Sequence, residues 1–471
     1  MKFANAFSVL ALMFLSVLFT GCPGEEPPTG PTGPTSGTVT IYTKSMTASQ
    51  TPVAGLTVAI NDETGELVDT GETDSAGTFV ATDVPANSSA TVVSESTELG
   101  KLMLTKFGLQ PEKSYTFNVL RESPVVATVT VTLTNLPFDS VYQSIYVGGS
   151  KCSAQSGVPL SLKAECVQSD GKVSIYATAF DAQNRVVGQA LKLDLPLTAV
   201  ITQTIDDWYV VTSNTVQVNL ANAPYDLSSS ATYINLAVQR RDSTFPLGWN
   251  QIGTANANAF TGTTFAIPTT LAAPENGHGY LLKTQSTAVT QAGTRVDGFI
   301  IRTQSFPTLV QYGLDQWLPA LQARRVWADL ADATRPAMGW ELTGEGSVDA
   351  VMALMSWTNN GNNVNWLTTM PAGDGYAQLP QLPASMTDFL PPSGGLIQGP
   401  ILFTAEASWC AGYDEFAATE TPLTIFDYGD FYGAEGNAVL KFSGAAPNDV
   451  VFKTTGGRLN RLPVMSTRAH R

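Results

Sequence analysis

Two histidines, His278 and His470, are the only imidazoles in the 471 residues, and nucleophilic hydrolysis through a serine or cysteine needs such a base at its side. His470 is the penultimate residue, and His278 lies in Asn276-Gly277-His278-Gly279, which reads as a turn between strands. No G-x-S-x-G elbow accompanies either one. Asp69-Thr70-Gly71 offers one loop carboxylate of the kind that works in pairs, two acids sharing a proton, and no second Asp-Thr-Gly occurs. Carboxylates alone suffice for glycoside cleavage. Asp427, Asp430 or Glu435 with Asp414 or Glu415 is therefore the acid set on which a hydrolytic reading rests. The acidic runs around Asp62–Asp74 and Asp427–Gly436 lack the alternate-position spacing of a calcium-binding EF-hand loop, and the histidines and cysteines are too scattered for zinc. The sequence predicts no catalytic set, no metal site and no cofactor.

Aromatic and sulfur-bearing residues are the next candidates. All eight tryptophans fall between Trp208 and Trp409, and aromatic rings on a β-face either fill a core or grip a ligand such as a sugar. Trp340, Trp357 and Trp409 sit in strand-like contexts and are expected inside. Trp249 and Trp366 adjoin Gly- or Asn-rich turns and are the candidate exposed ligand contacts. Cys152 and Cys166 flank a Gly157–Pro159 turn and are placed to staple a hairpin in an oxidising compartment. Closing such a loop stabilises by about 3 kcal/mol. Cys410 is left over, read as a buried thiol beside Trp409.

The elements that must position these residues begin with a leader. Lys2 precedes an apolar run from Ala6 to Phe19, the pattern of a signal peptide over residues 1–21. Leu18-Phe19-Thr20-Gly21-Cys22 resembles the lipobox of bacterial lipoproteins, departing from it at Phe19. That resemblance implies cleavage before Cys22 and acylation of its thiol, which makes the membrane a partner through the lipid. Pro23 at the second mature position implies outer-membrane sorting if the cell is Gram-negative. Residues 22–37 then read as a lipidated tether too rich in Pro, Gly and Thr to bury anything.

From Thr38 the pattern becomes short alternating strands separated by turn residues, the signature of an all-β chain. Pro52-Val53-Ala54-Gly55-Leu56-Thr57-Val58, Asp62-Glu63-Thr64-Gly65, Thr73 to Phe79 and Val84-Pro85 resemble the carboxypeptidase regulatory-like family, small transthyretin-like β-sandwiches. The resemblance covers residues 38–122 and implies an accessory module, not a catalytic one. The turn chemistry agrees: Asp74 can bond nearby backbone N–H groups and Gly77 can take positive φ. Lys44, on the first strand, and Asn118, on the last, carry the groups of a Lys–Asn crosslink with Glu95 between. Strand alternation sets both on the wet face, which argues against one.

Beyond Ser123 strands recur at sandwich-like intervals. The expected organisation is two further β-sandwich regions, 123–305 and 306–471. A duplication links them faintly, with Trp249, Pro268 and Leu281-Leu282 echoed by Trp366, Pro380 or Pro383 and Ile401-Leu402. The one helical spacing is Leu314 to Leu330, interrupted by Pro319. The fold expectation is thus tandem Ig-like or transthyretin-like sandwiches behind the leader and tether.

Charge narrows the partners. There are 25 basic and 40 acidic residues, and losing Lys2 with the leader leaves 24 against 40. Such a surface excludes nucleic acid, which needs a basic stripe. The reading that remains is a lipid-anchored envelope protein, a non-enzymatic binding or spacer module for a protein or glycan. The alternatives are the hydrolase above and an accessory subunit of an envelope complex.

Overall fold

The computed structural model describes residues 35–447 apart from short segments, the longest being 221–231, 243–249, 319–325 and 420–436. The chain is all-β, its described strands forming five sheets. Cys22, Trp249, His470, Asp427, Asp430 and Glu435 lie outside the described residues.

The first unit is a sandwich. Strands β1 (Ser36–Ser45), β4 (Thr78–Pro85) and β7 (Lys113–Val119) form one sheet in the order β4-β1-β7. They face β2 (Thr57–Asn61), β3 (Leu67–Glu72), β5 (Ser88–Ser96) and β6 (Gly100–Leu109) across a core that includes Val39, Ile41, Val58, Ile60, Leu102, Leu104 and Phe117. The period-2 pattern produces this: Val39 and Ile41 point inward while Thr40 and Tyr42 point away. At the turn into β4, Asp74 Oδ1 accepts from the Ala76 and Thr78 N–H groups at 2.8 and 2.9 Å. Gly77 there has φ +68°, a conformation open to glycine at little cost.

The second unit is also a sandwich. Strands β8 (Val125–Leu133), β11 (Leu160–Lys163) and β14 (Val200–Ile205) form one sheet, ordered β11-β8-β14. The other sheet is β9 (Tyr142–Val147), β10 (Ser153–Ala154), β12 (Lys172–Phe180), β13 (Val186–Pro196) and β15 (Tyr209–Val210). Val129, Val131, Ile145, Ile175 and Ile205 fill the space between them. Cys152 and Cys166 are disulfide-bonded across 14 residues of sequence, with Cα atoms 6.4 Å apart.

The remainder builds one long sheet. To β2, β3, β5 and β6 of the first unit, which belong to the same sheet, it adds β16 (Ser213–Leu220), β17 (Thr232–Asp242), β18 (Asn250–Asn258), β19 (Thr264–Thr270), β20 (Gly277–Thr290), β21 (Gly293–Thr303), β22 (Leu309–Tyr312), β25 (Ala350–Asn359), β26 (Asn362–Pro371), β28 (Ile397–Ala407) and β29 (Ala438–Pro447). A small separate sheet holds β23 (Val326–Asp329), β24 (Ala337–Trp340) and β27 (Gly375–Gln378). The order β18-β17-β20-β21 recurs as β26-β25-β28-β29, and the two sets meet where β21 pairs antiparallel with β29. Val238 stands opposite Leu282 as Leu354 stands opposite Ile401. Because β21 and β29 are partners, strands from either side of residue 305 share one sheet.

Two local expectations need correction. Val326–Asp329, in the segment given helical spacing, is a strand paired with β24; four residues against a neighbouring edge gain ladder hydrogen bonds that a helix interrupted by Pro319 could not extend. His278 lies within β20, at the register shift between the Asp242–Gly277 and Arg241–Gly279 pairs, and not in a turn.

Candidate functional site

Among the described residues the disulfide joins Cys152 to Cys166, and the other sequence-derived candidates are not brought together. Trp366 is fully buried, and its indole N–H donates to Thr105 Oγ1 at 3.0 Å. It is therefore a core residue, correcting its assignment as a ligand contact: β6 lies directly beside β26, in register Trp366 to Met103, and covers what an Asn-rich hairpin would leave open. Trp340 and Trp357 are buried as expected, each donating its indole N–H to a backbone carbonyl, Gly373 O at 2.7 Å and Phe389 O at 3.0 Å. Asp69-Thr70-Gly71 is part of strand β3, where Asp69 accepts from its neighbour's N–H, Thr70, at 2.8 Å. Asp414 and Glu415 are exposed in the first turn of a short helix, Tyr413–Thr419, where acids complement the helix dipole. Glu415 accepts from Ala411 N at 2.8 Å. Asp349 is buried; burial pushes its carboxyl above the usual range, partly offset by the Ala407 N–H it accepts at 2.7 Å, and the nearby Glu406 pushes it further up. Glu406 is paired with Lys441 at 3.0 Å. Of these carboxylates Asp349 ties the start of β25 to β28, and Glu406 ties β28 to β29. Among the described residues no group of three His, Cys, Asp or Glu side chains is placed to hold a metal.

Asn118 corrects the wet-face expectation. It stands opposite Lys44 in the parallel β1–β7 pair but is fully buried, because the helix Tyr413–Thr419 lies over the edge strand β7. Its Nδ2 donates to Thr419 O at 3.2 Å. Beside it, the buried Lys106 sends Nζ to Thr116 O at 2.7 Å and to Ala417 O, and lies 5.2 Å from the Phe117 ring centroid. Tyr413, whose hydroxyl burial pushes well above its ordinary range, donates to Phe107 O, with Thr369 O 3.1 Å away. This buried polar cluster joins the first sandwich to the segment Tyr413–Thr419.

The surface that stands out is one pole of the second sandwich. Three connections converge there: Thr134–Val141, Gln155–Pro159 and Asp206–Trp208. Thr134 N donates to Ile205 O at 2.8 Å, Trp208 Nε1 to Thr134 O at 2.9 Å and Gly157 N to Val131 O at 2.8 Å, so each loop is tied to its neighbour. Pro137 packs flat on Gly188, where any Cβ would collide with the proline ring. Asn135 and Asp139 take left-handed φ of 49° and 69°, residue types that tolerate it, and Ser140 N closes a turn on Pro137 O at 3.1 Å. The loop so fixed holds Phe138 out into water, 90% exposed. Leu136, Val141, Val158 and Tyr209 are exposed around it. Behind them Tyr142 stacks on Phe180, centroids 4.8 Å apart, and burial, with Asp181 beside it, raises the Tyr142 hydroxyl's pKa. Sequence reading missed this site, although the signal was present: Leu136-Pro137-Phe138 is an apolar triplet placed in a connection, where turn residues are the rule.

No protein family and no curated protein matches the chain. Among solved structures it is similar, at 8% identity, to the Bacillus anthracis TIE protein, with 59% of this chain and 51% of that one covered and a TM-score of 0.17. It spans about half the length of that protein. The Lactobacillus rhamnosus GG shaft pilin SpaA matches at 8% identity over 59% of this chain and 97% of its own, with a TM-score of 0.13. Native E. coli alpha-2-macroglobulin matches at 9% over 86% and 28%, with a TM-score of 0.11. The fold assignment rests on the strands, not on superpositions of this size.

Proposed function

We propose that the chain is a cell-envelope lipoprotein, held to the membrane through acylated Cys22, that acts as a non-enzymatic display and binding module. In this reading residues 1–21 are a signal peptide, residues 22–37 a tether, and the first sandwich an accessory module of the carboxypeptidase regulatory-like kind. The observation that carries it is the contrast between a scaffold built into one sheet and a loop pole whose apolar residues are fixed in place yet exposed. A monomer gains nothing in stability from holding Phe138 in water. Fixed exposure of that kind belongs to recognition. Outer-membrane placement in a Gram-negative cell follows from Pro23 in the same reading.

The test is metabolic labelling with an alkyne fatty acid in the native cells. The wild-type chain is expected to take label and fractionate with membranes, while Cys22→Ser loses both. An unlabelled wild-type chain in the soluble fraction would sink the anchored reading.

A further inference from the structure

The Phe138 pole also carries information about what it recognises. Its connections Thr134–Val141, Gln155–Pro159 and Asp206–Trp208 contain three acids, Asp139, Asp206 and Asp207, and no lysine or arginine, and the sequence between β12 and β13, 181–185, adds one of each sign, Asp181 and Arg185, so the balance stays acidic. All three acids are exposed. The apolar tip is therefore flanked by negative charge on a chain that is itself acidic.

We propose that this pole is a protein-docking surface whose partner presents an apolar pocket rimmed by lysine or arginine side chains. The inference rests on the display reading above and names the partner's chemistry. A projecting ring that enters a pocket is the usual form of an interface anchor. The loop is held by hydrogen bonds and by the Pro137–Gly188 contact before any partner arrives, so little ordering remains to oppose binding. The acidic flank selects a basic rim and speeds encounter with it. Three alternative occupants fit less well. A sugar ring needs a flat aromatic platform with polar groups at its edge, and here aliphatic Leu136, Val141 and Val158 surround the tip, while the Trp208 indole N–H is already given to Thr134 O. An anionic membrane would repel the same carboxylates. A second copy docked about a two-fold axis would set identical acidic flanks against each other.

The experiment uses the full-length chain in its native cells with the photo-crosslinking residue p-benzoylphenylalanine at position 138. A second chain carries it at position 80, since Val80 is an exposed apolar residue of the first sandwich. Expected is one discrete protein adduct from position 138, at least about tenfold more abundant than from position 80, the crosslinked peptide of the partner carrying apolar residues flanked by Lys or Arg. Adding Asp139→Asn, which keeps a residue type that tolerates the left-handed φ there, with Asp206→Lys and Asp207→Lys is expected to cut the yield by about tenfold, with the thermal unfolding profile checked to be unchanged. Equal adducts from both positions overturn the proposal, as do adducts to lipid, to glycan or to another copy of the chain, or a yield that these substitutions leave the same. Fatty-acid labelling of Cys22 is read on the same samples. Loss of the adduct with labelling intact overturns the docking surface alone, and loss of labelling overturns the anchored reading.

Discussion

The two sandwiches are built on the same plan and are held in opposite ways. The first buries its β6 strand on both sides: Leu102 and Leu104 face its own core, and Met103 and Phe107 face the core around Trp340, Trp357 and Trp366. β6 also pairs in parallel with β26, so the sheet of this sandwich runs without interruption into the long sheet. Side chains tighten the join. Arg335 Nε donates to Leu379 O at 2.9 Å and its guanidinium reaches Gly65 O at 3.3 Å, Asn61 Nδ2 reaches Gln381 O at 2.8 Å, and Lys101 lies 5.0 Å from the Phe389 ring centroid. The second sandwich closes its core within residues 127–205 and is stapled by its own disulfide. Its strands join no sheet outside residues 125–210. One module is therefore part of the scaffold and the other is carried by it, and the exposed Phe138 pole is on the carried one. A unit that keeps its stability to itself can present a surface without coupling that surface to the rest of the fold.

That contrast can be broken at several points. The largest effect is expected from Trp366→Ala, which removes a fully buried indole and its bond to Thr105 and should cost about 3–5 kcal/mol. Calorimetry should show the transition of the first sandwich and the long sheet falling as one, with that of the second sandwich unmoved. Separate shifts for residues 36–119 and the long sheet would show the join to be superficial. Next, Cys152→Ala with Cys166→Ala should cost the second sandwich about 3 kcal/mol and leave the other transition in place. If both transitions fall, the carried unit is not independent. Lys106→Met leaves Thr116 O and Ala417 O without this donor, a loss of about 2 kcal/mol. Limited proteolysis should then cut near Tyr413–Thr419 well before any cut in the second sandwich.

The smallest effect is expected from Asp349→Asn. The carboxyl titrates higher folded than unfolded, so its charge costs stability at neutral pH, and the cost fades as pH falls through the folded-state pKa. The amide keeps an oxygen for Ala407 N–H and carries no charge. The variant should therefore gain up to about 1 kcal/mol at neutral pH and lose that advantage in acid. A pH-independent difference in melting temperature would contradict the assignment.

Legibility followed the reach of each interaction. The Asp74–Gly77 turn was readable because its hydrogen bonds span four residues. The inward set of β1 was readable because alternation is a property of one strand. β6 was harder, since a strand covered on both faces loses the alternation that marks a half-buried one. Lys106 shares a face with Leu102 and Leu104 and so belongs to the interior by parity, yet its charge argues for water until the carbonyls of Thr116 and Ala417 are seen to receive it. Trp366 failed for the same reason: nearby asparagines describe its hairpin turn and not the neighbouring strand that buries it.

The amino-acid sequence alone determined that this is an acidic, all-β chain, for these follow from composition and period. Only the tertiary structure decided that the first sandwich is continuous with the long sheet while the second pairs its strands in sheets of its own with Phe138 exposed. Alternation says which side chains share a face. What covers that face is set by strands hundreds of residues away, through pairings that no local pattern encodes.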